Sequence, residues 1–301
     1  MRIAVTGATG FIGRYVISSL IRQGYEVMAI GRSIPIEHSL VTFIEFDLLK
    51  EYEYSWMQKY KPSHLLHLAW YAEHGKFWTS RLNLNWCDAT VRLIDAFCNY
   101  GGERVVVAGS CAEYDWSFGY CKEKITPNNP STLYGIAKDS ARRLSSEICR
   151  LSDVSFAWGR VFFPFGLGEN NNRLIPSVTQ SLLGNRSPFS INTLQWRDML
   201  PIEIVADALT FLLTQNESGV FNICSGKPIQ LCEIIRHIAL SIDEDAEFLL
   251  SLSVEQTESP NFLIGDNSLL ATMGWQPVYD LWDSLHLYVK SIADMNNRFR
   301  N

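Results

Sequence analysis

The sequence predicts an α/β fold, a doubly wound parallel sheet with a smaller C-terminal lobe. Three observations carry this. Short apolar runs rich in β-branched residues alternate with longer helix-period stretches through the first half of the chain. A glycine-rich turn, GATGFIG, follows the first of these runs and opens a helical stretch. Beyond residue 161 the alternation loosens into FFPFGLGENNNR, a loop rich in Gly and Asn, and then into a mixed pattern.

The elements follow in order. Arg2–Val5 reads as a buried strand and Phe11–Gln23 as a helix. Strands are expected over Glu26–Ile30, Thr42–Phe46 and His64–Leu68. Arg81–Tyr100 is a long helix whose apolar face carries Leu84, Val91, Leu93, Ile94 and Phe97. Arg104–Ala108 is the fifth strand, Ser131–Leu151 a helix, and Ser155–Val161 the sixth strand. Helices over Leu174–Leu183 and Pro201–Leu213, a strand over Val220–Ile223, and helices over Leu231–Ser241 and Leu281–Met295 complete the chain. The final NNRFRN is expected to fray.

Composition narrows the class. The chain has 301 residues, 47% apolar and 19% charged, enough to bury a core without covalent staples. A net charge of −6 argues against a broad nucleic-acid surface. The seven cysteines are odd in number and form no CxxC pair, which speaks against a disulfide framework or a zinc site. They read as free thiols of a reducing cytosol. The N-terminus lacks the pattern of a signal peptide, and no run of about 18 apolar residues is present. A cytoplasmic protein with no metal, no membrane and no nucleic-acid partner is expected.

Gly7, Gly10 and Gly13 have GxxGxxG spacing between strand and helix. This arrangement brings backbone N–H groups and the positive end of a helix dipole to a pyrophosphate. At the end of the second strand an acid would hold a ribose 2′-hydroxyl; here stand Gly31, Arg32 and Ser33, which suit a 2′-phosphate. NADP(H) is therefore the expected cofactor. Arg14 is expected to reach the same phosphate, and Asp47 to accept from the adenine amine. Thr9, Phe11, Ile12, Leu48, Leu68, Ala69 and Trp70 complete the expected lining. Residues 1–165, with 192–224 returning to them, are assigned to this dinucleotide-binding Rossmann part, and 166–191 with 225–301 to a substrate-binding lobe.

TGATGFIG, FDL at 46–48, HLA at 67–69, GSCAEY at 109–114 and YGIAK at 134–138 occur in one order. Together with GRVFFPFG, QWRDMLPIEIVADAL, GVFNICSGK and MGWQP they resemble the extended short-chain dehydrogenase/reductase family of the NAD-dependent epimerase/dehydratase type. The resemblance spans nearly the whole chain. It implies nucleotide-sugar substrates and a catalytic set of Ser110, Tyr134 and Lys138. The chemistry is independently reasonable. Tyr134 and Lys138 lie one helical turn apart, so an ammonium can favour tyrosinate while also holding the nicotinamide ribose. Ser110 can hydrogen-bond the substrate oxygen.

Within GSCAEY the resemblance separates subclasses. Sugar 4,6-dehydratases of this kind have Asp-Glu where this chain has Cys111 and Ala112, and Ala112 has no proton to give. Epimerase-reductases of the GDP-fucose synthase type have a cysteine one place later and a loop histidine that FGLGEN lacks. What remains is reduction of the 4-keto group of a nucleotide-linked 4-keto-6-deoxyhexose (dTDP or CDP). The alternatives are a C4-epimerase that retains its cofactor and a non-catalytic NADP-binding regulator. Trp70, His74, Cys111, Tyr114, Asn172 and Arg197 are expected to face the substrate, with Cys111 mainly packing beside Ser110 and Arg197 clamping the diphosphate; Arg173 is a further candidate for that contact. Glu113 reads as a structural acceptor. PIEI departs from the family's H-V-x-D. The two long helices of the first half resemble a four-helix dimer interface, so a homodimer is expected.

Overall fold

The computed structural model describes residues 1–254 and 260–300, with side chains to residue 295. Seven strands form one parallel sheet. In chain order they are β1 (Arg2–Thr6), β2 (Glu26–Gly31), β3 (Val41–Glu45), β4 (His64–His67), β5 (Arg104–Ser110), β7 (Ser155–Val161) and β11 (Gly219–Ile223). Short strands take the numbers between: β6 (Tyr120–Cys121), β8 (Pro164–Phe165), β9 (Trp196–Arg197) and β10 (Leu200–Pro201), followed by β12 (Ile229–Gln230) and β13 (Phe262–Gly265). The helices are α1 (Phe11–Arg22), α2 (Ser55–Tyr60), α3 (Leu82–Asn99), α4 (Leu133–Leu151), α5 (Leu174–Leu182), α6 (Ile202–Thr214), α7 (Leu231–Ser241), α8 (Glu247–Ser251), α9 (Ser268–Thr272) and α10 (Leu281–Arg300). The fraying expected of 296–301 concerns side chains and a last residue outside the described ones.

The sheet order is β11-β7-β5-β4-β1-β2-β3. The order reverses between β1 and β4, and in open α/β sheets ligands bind at the strands' carboxyl ends beside such a reversal. The central strands are buried on both faces because their residues are almost uniformly apolar: Ile3, Val5, Leu66, Val106 and Ala157 pack on one side under α1 and α6. Ala4, Leu65, Val105, Val107 and Trp158 pack on the other, with Leu93 and Phe97 of α3 and Ala141 of α4.

A third cluster lies outside the sheet. Ile175 and Val178 of α5, Ile234, Ile235 and Ile238 of α7, and Leu285 and Val289 of α10 close on one another. Near it lies Asp198, which is fully buried. The carboxylate accepts from the Ser225 N–H (2.7 Å) and hydroxyl (2.6 Å), from Gly226 N–H (3.0 Å) and from Gly265 N–H (3.2 Å).

The expected elements are present, with ends displaced by at most two residues except in α10, which runs five residues past the expected Met295. β5 extends to Ser110, so the serine belongs to the strand's last position. Not foreseen from the sequence are α2, α8, α9, β13 and the two-residue strands, which are too short for a hydrophobic period to declare itself.

Candidate active site

The loop after β1 is built for close approach. Gly7 has φ +71°, and a Cβ there would stand 2.7 Å from the Ala69 nitrogen and 2.8 Å from the Leu68 carbonyl carbon. A Cβ on Gly13 would fall 2.8 Å from the Ala8 Cα. Gly10 caps α1 without a side-chain bond, and no acidic residue occupies the first turn. Thr6 secures the floor: its Oγ1 accepts from the Leu68 and Ala69 N–H groups at 3.2 and 3.3 Å. It also bonds His67 Nδ1 at 2.7 Å, while His67 Nε2 bonds Thr90 Oγ1 of α3 at 2.8 Å. Burial first, and then the Lys138 charge, hold the imidazole at a pKa of about 3. The ring is a neutral strut beneath the cofactor loop.

These features fit a dinucleotide pyrophosphate over Gly7–Gly13. Thr9 and Gly10 are exposed at the loop's tip, and Phe11 and Ile12 are half-buried. Arg32 and Ser33 follow β2 exposed, and a Cβ on Gly31 would meet nothing within 4 Å. Three of the expected residues also have partners within the protein. Arg14 packs its guanidinium against Gly168, so its position belongs to the loop after β8. Asp47 is occupied by its own turn, accepting from Leu49 N–H at 3.1 Å and pairing with Lys50 at 3.7 Å. Leu48 is a core side chain, packed with Phe46 and Tyr54.

Ser110, Tyr134 and Lys138 come together where β5 meets the first turns of α4. Thr132 caps that helix by accepting from Gly135 N–H at 3.1 Å. The Tyr134 N–H is bound by the Trp78 carbonyl at 3.1 Å. Ser110 Oγ accepts from Ala112 N–H at 3.2 Å. Burial pushes the Tyr134 phenol above its usual range, and a side-chain hydrogen bond with Ser110 offsets part of this. Lys138 is buried; its Nζ donates to the Ala108 carbonyl at 2.8 Å and stands 4.0 Å from the Trp70 ring centre. The phenol thus stands above its usual range where a lowering by Lys138 was expected, and burial is the largest cause. The lysine itself is pulled down to about 7 by burial, with Glu113 opposing.

Glu113 sits behind this set, fully buried. It accepts from Ser110 N–H (2.7 Å), Trp158 Nε1 (2.8 Å) and Arg160 Nε (2.8 Å). Arg160 continues to Asn128 Oδ1 at 2.8 Å. Glu113 thus holds the serine's backbone, in keeping with a structural acceptor.

The expected substrate residues divide. A cavity of about 410 Å³ is lined by His74, Glu169, Arg173, Phe189, Gln195 and Arg197, among others. Arg197 donates to Gln195 Oε1 at 2.7 Å, and Arg173 pairs with Glu169 at 3.2 Å. Burial raises Glu169 to about 7 against the pull of Arg173. Asn172 is absent from that lining and accepts from Arg186 at 3.2 Å. Tyr114 does not line a pocket: it is 1% exposed, its hydroxyl donates to Asn222 Oδ1 at 2.7 Å, and Arg160 stacks on its ring. Cys111 is likewise buried, beside Tyr114, Cys121 and Phe162. Trp70 is half-buried, donates to Asn83 Oδ1 at 2.9 Å, and stands beside Lys138 and Tyr134. The sequence reading missed Glu169, Gln195 and Trp116. Trp116, two residues beyond Tyr114, was the one with a signal, an aromatic close behind the serine.

Sheet order, glycine cradle and the serine–tyrosine–lysine set define an NAD(P)-dependent enzyme of the oxidoreductase type. The profile of the NAD dependent epimerase/dehydratase family matches residues 3–224, and the chain belongs to that family. It is 29% identical over 239 residues to a dTDP-6-deoxy-L-talose 4-dehydrogenase (NAD(+)) of Aggregatibacter actinomycetemcomitans, covering 77% of this chain and 87% of that one. It is 23% identical to a CDP-abequose synthase of Salmonella typhimurium, covering 98% and 97%. A UDP-N-acetylglucosamine 4-epimerase of Methanobrevibacter ruminantium M1, solved with UDP-N-acetylmuramic acid, superposes with a TM-score of 0.85 at 22% identity, covering 98% of each chain. That likeness concerns the fold.

Proposed function

We propose that the protein reduces the 4-keto group of a nucleotide-linked 4-keto-6-deoxyhexose with NADPH. The observation that carries the reading is the juxtaposition of Ser110 Oγ and the Tyr134 phenol at the end of β5, with Ala112 in place of an acid. Relatives named as a dTDP-6-deoxy-L-talose 4-dehydrogenase and a CDP-abequose synthase support it.

When bound, the nicotinamide supplies the hydride. The protein's own residues do the rest. Ser110 donates to the carbonyl oxygen and holds it in line. Tyr134, kept protonated by its burial, delivers the proton to the alkoxide that forms. Lys138 orients the nicotinamide ribose, and its positive charge steadies the tyrosinate left behind. Arg173 and Arg197, in the cavity, suit the substrate's diphosphate. Gly31, Arg32 and Ser33 favour a 2′-phosphate and hence NADPH over NADH. Exposed Leu84, Ile136 and Leu144 on α3 and α4 support a homodimer through those helices.

The test is NADPH oxidation on a panel of dTDP- and CDP-linked 4-keto-6-deoxyhexoses, with NADH alongside. Turnover on one of them, reduced by about 10²- to 10⁴-fold in Tyr134→Phe, supports the reading. Interconversion of UDP-hexose epimers on a tightly held cofactor, without net oxidation, replaces it with the epimerase.

A further inference from the structure

The walls around Ser110 and Tyr134 are unusually rich in carbon. Phe77 and Trp78, from the loop after β4, stand edge-on to the Tyr134 ring with centroids at 4.8 and 5.6 Å. Trp78 meets Trp116 at 5.8 Å with planes 87° apart. Trp116 comes from a different segment, the single helical turn Trp116–Phe118 after β5. Its Nε1 donates to the Cys111 carbonyl at 3.0 Å, and Cys111 is the neighbour of Ser110. The two indoles therefore run as a continuous wall from the phenol that gives the proton to the strand end that holds the serine. Trp78 and Trp116 both remain half-exposed, so the wall is open to a ligand. The indole N–H of Trp116 is spent inside the protein, so this ring offers carbon faces and edges rather than a donor.

A hexose whose C4 oxygen lies on Ser110 and Tyr134 carries its C5 substituent two bonds from the reacting carbon, within reach of this wall. A methyl group there gains by burial against the indoles. A hydroxymethyl group loses water from its oxygen and finds no partner on the Trp116 ring. We propose that Trp78 and Trp116 are specificity-determining residues, which select a sugar bearing a methyl rather than a hydroxymethyl group at C5. The inference rests on the ketoreductase reading and assigns the residues that enforce the deoxy character of its substrate.

The reverse reaction tests it. Oxidation by NADP⁺ is measured on a dTDP-6-deoxyhexose and on the dTDP-hexose of the same ring configuration. The proteins are the wild type, Trp78→Ala, Trp116→Ala and the two phenylalanine variants. Melting temperature and NADPH fluorescence certify that each variant is folded and binds cofactor. The wild type is expected to prefer the deoxy sugar about 100-fold in kcat/KM, the discrimination an apolar pocket exerts against an added hydroxyl. Each alanine variant is expected to reduce this ratio to about 10-fold or less, chiefly by losing rate on the deoxy sugar, while phenylalanine retains most of it. A wild-type ratio near one, or alanine variants that slow both sugars equally, overturns the wall while leaving the ketoreductase standing. Turnover of neither sugar by the wild type removes the ketoreductase and the inference with it.

Discussion

At the scale of single residues, Lys138 connects burial to rate. Its ammonium is held at about 7, so it is charged below neutrality and neutral above. Tyr134 is pushed the other way and stays a phenol throughout. Reduction needs the proton on the tyrosine and the charge on the lysine. kcat/KM for reduction is therefore expected to fall as pH rises through about 7, and Lys138→Arg, which stays charged, is expected to lose that alkaline limb at a lower overall rate. Stopped-flow or steady-state profiles between pH 6 and 9 decide this, and an unchanged limb in the arginine variant would rule out Lys138 as its origin. Glu113 illustrates the opposite use of a buried charge. It touches the serine's backbone only, and its pairing with Arg160 is structural. Arg160→Met is expected to cost about 3–5 kcal/mol in urea unfolding, because a fully buried carboxylate is left without its cation.

At the scale of elements, the turn between β1 and α1 depends on side chains that are missing. A methyl on Gly13 would overlap Ala8, so Gly13→Ala is expected to weaken NADPH binding at least tenfold in fluorescence titration. His67 fastens β1, β4 and α3 under that turn and must be neutral to do so. Its folded pKa of about 3 lies below the ordinary 6.5, so the unfolded chain takes up the proton first as the medium is acidified. The stability that the neutral ring confers is complete above about pH 6.5 and is lost as pH falls from there toward 3. Urea midpoints from pH 7 to 4.5 should fall more steeply for the wild type than for His67→Gln, the difference approaching about 1.4 kcal/mol per pH unit. Equal slopes would show that another group sets the acid limb.

At the scale of the whole molecule, Asp198 joins three distant segments: the end of β9, the loop after β11 and the end of β13. Asp198→Ala would strand several buried N–H groups at once. A loss of about 3 kcal/mol or more is expected in urea unfolding, with Asp198→Asn intermediate. A loss below about 1 kcal/mol would mean the segments are held together elsewhere.

The sequence by itself determined the alternating fold, the glycine cradle, and the positions of Ser110, Tyr134 and Lys138. These are local signals: a period of two or 3.6, a turn that tolerates no Cβ, a pair one helical turn apart. Tertiary structure alone decided what depends on neighbours far along the chain. Tyr114 looked like a pocket residue from its place after β5, yet Asn222, 108 residues on, takes its hydroxyl and buries it. Asp47, expected as an adenine acceptor, also accepts from Leu49 N–H within its own turn. Proximity in sequence pairs Lys138 with the Tyr134 phenol; the burial that raises the phenol comes from everything packed around it, which sequence does not record. Trp116 became part of the site only when the fold laid it against Trp78, 38 positions earlier in the chain. Periodicity records which face of an element is buried; it carries no record of which other element will cover it.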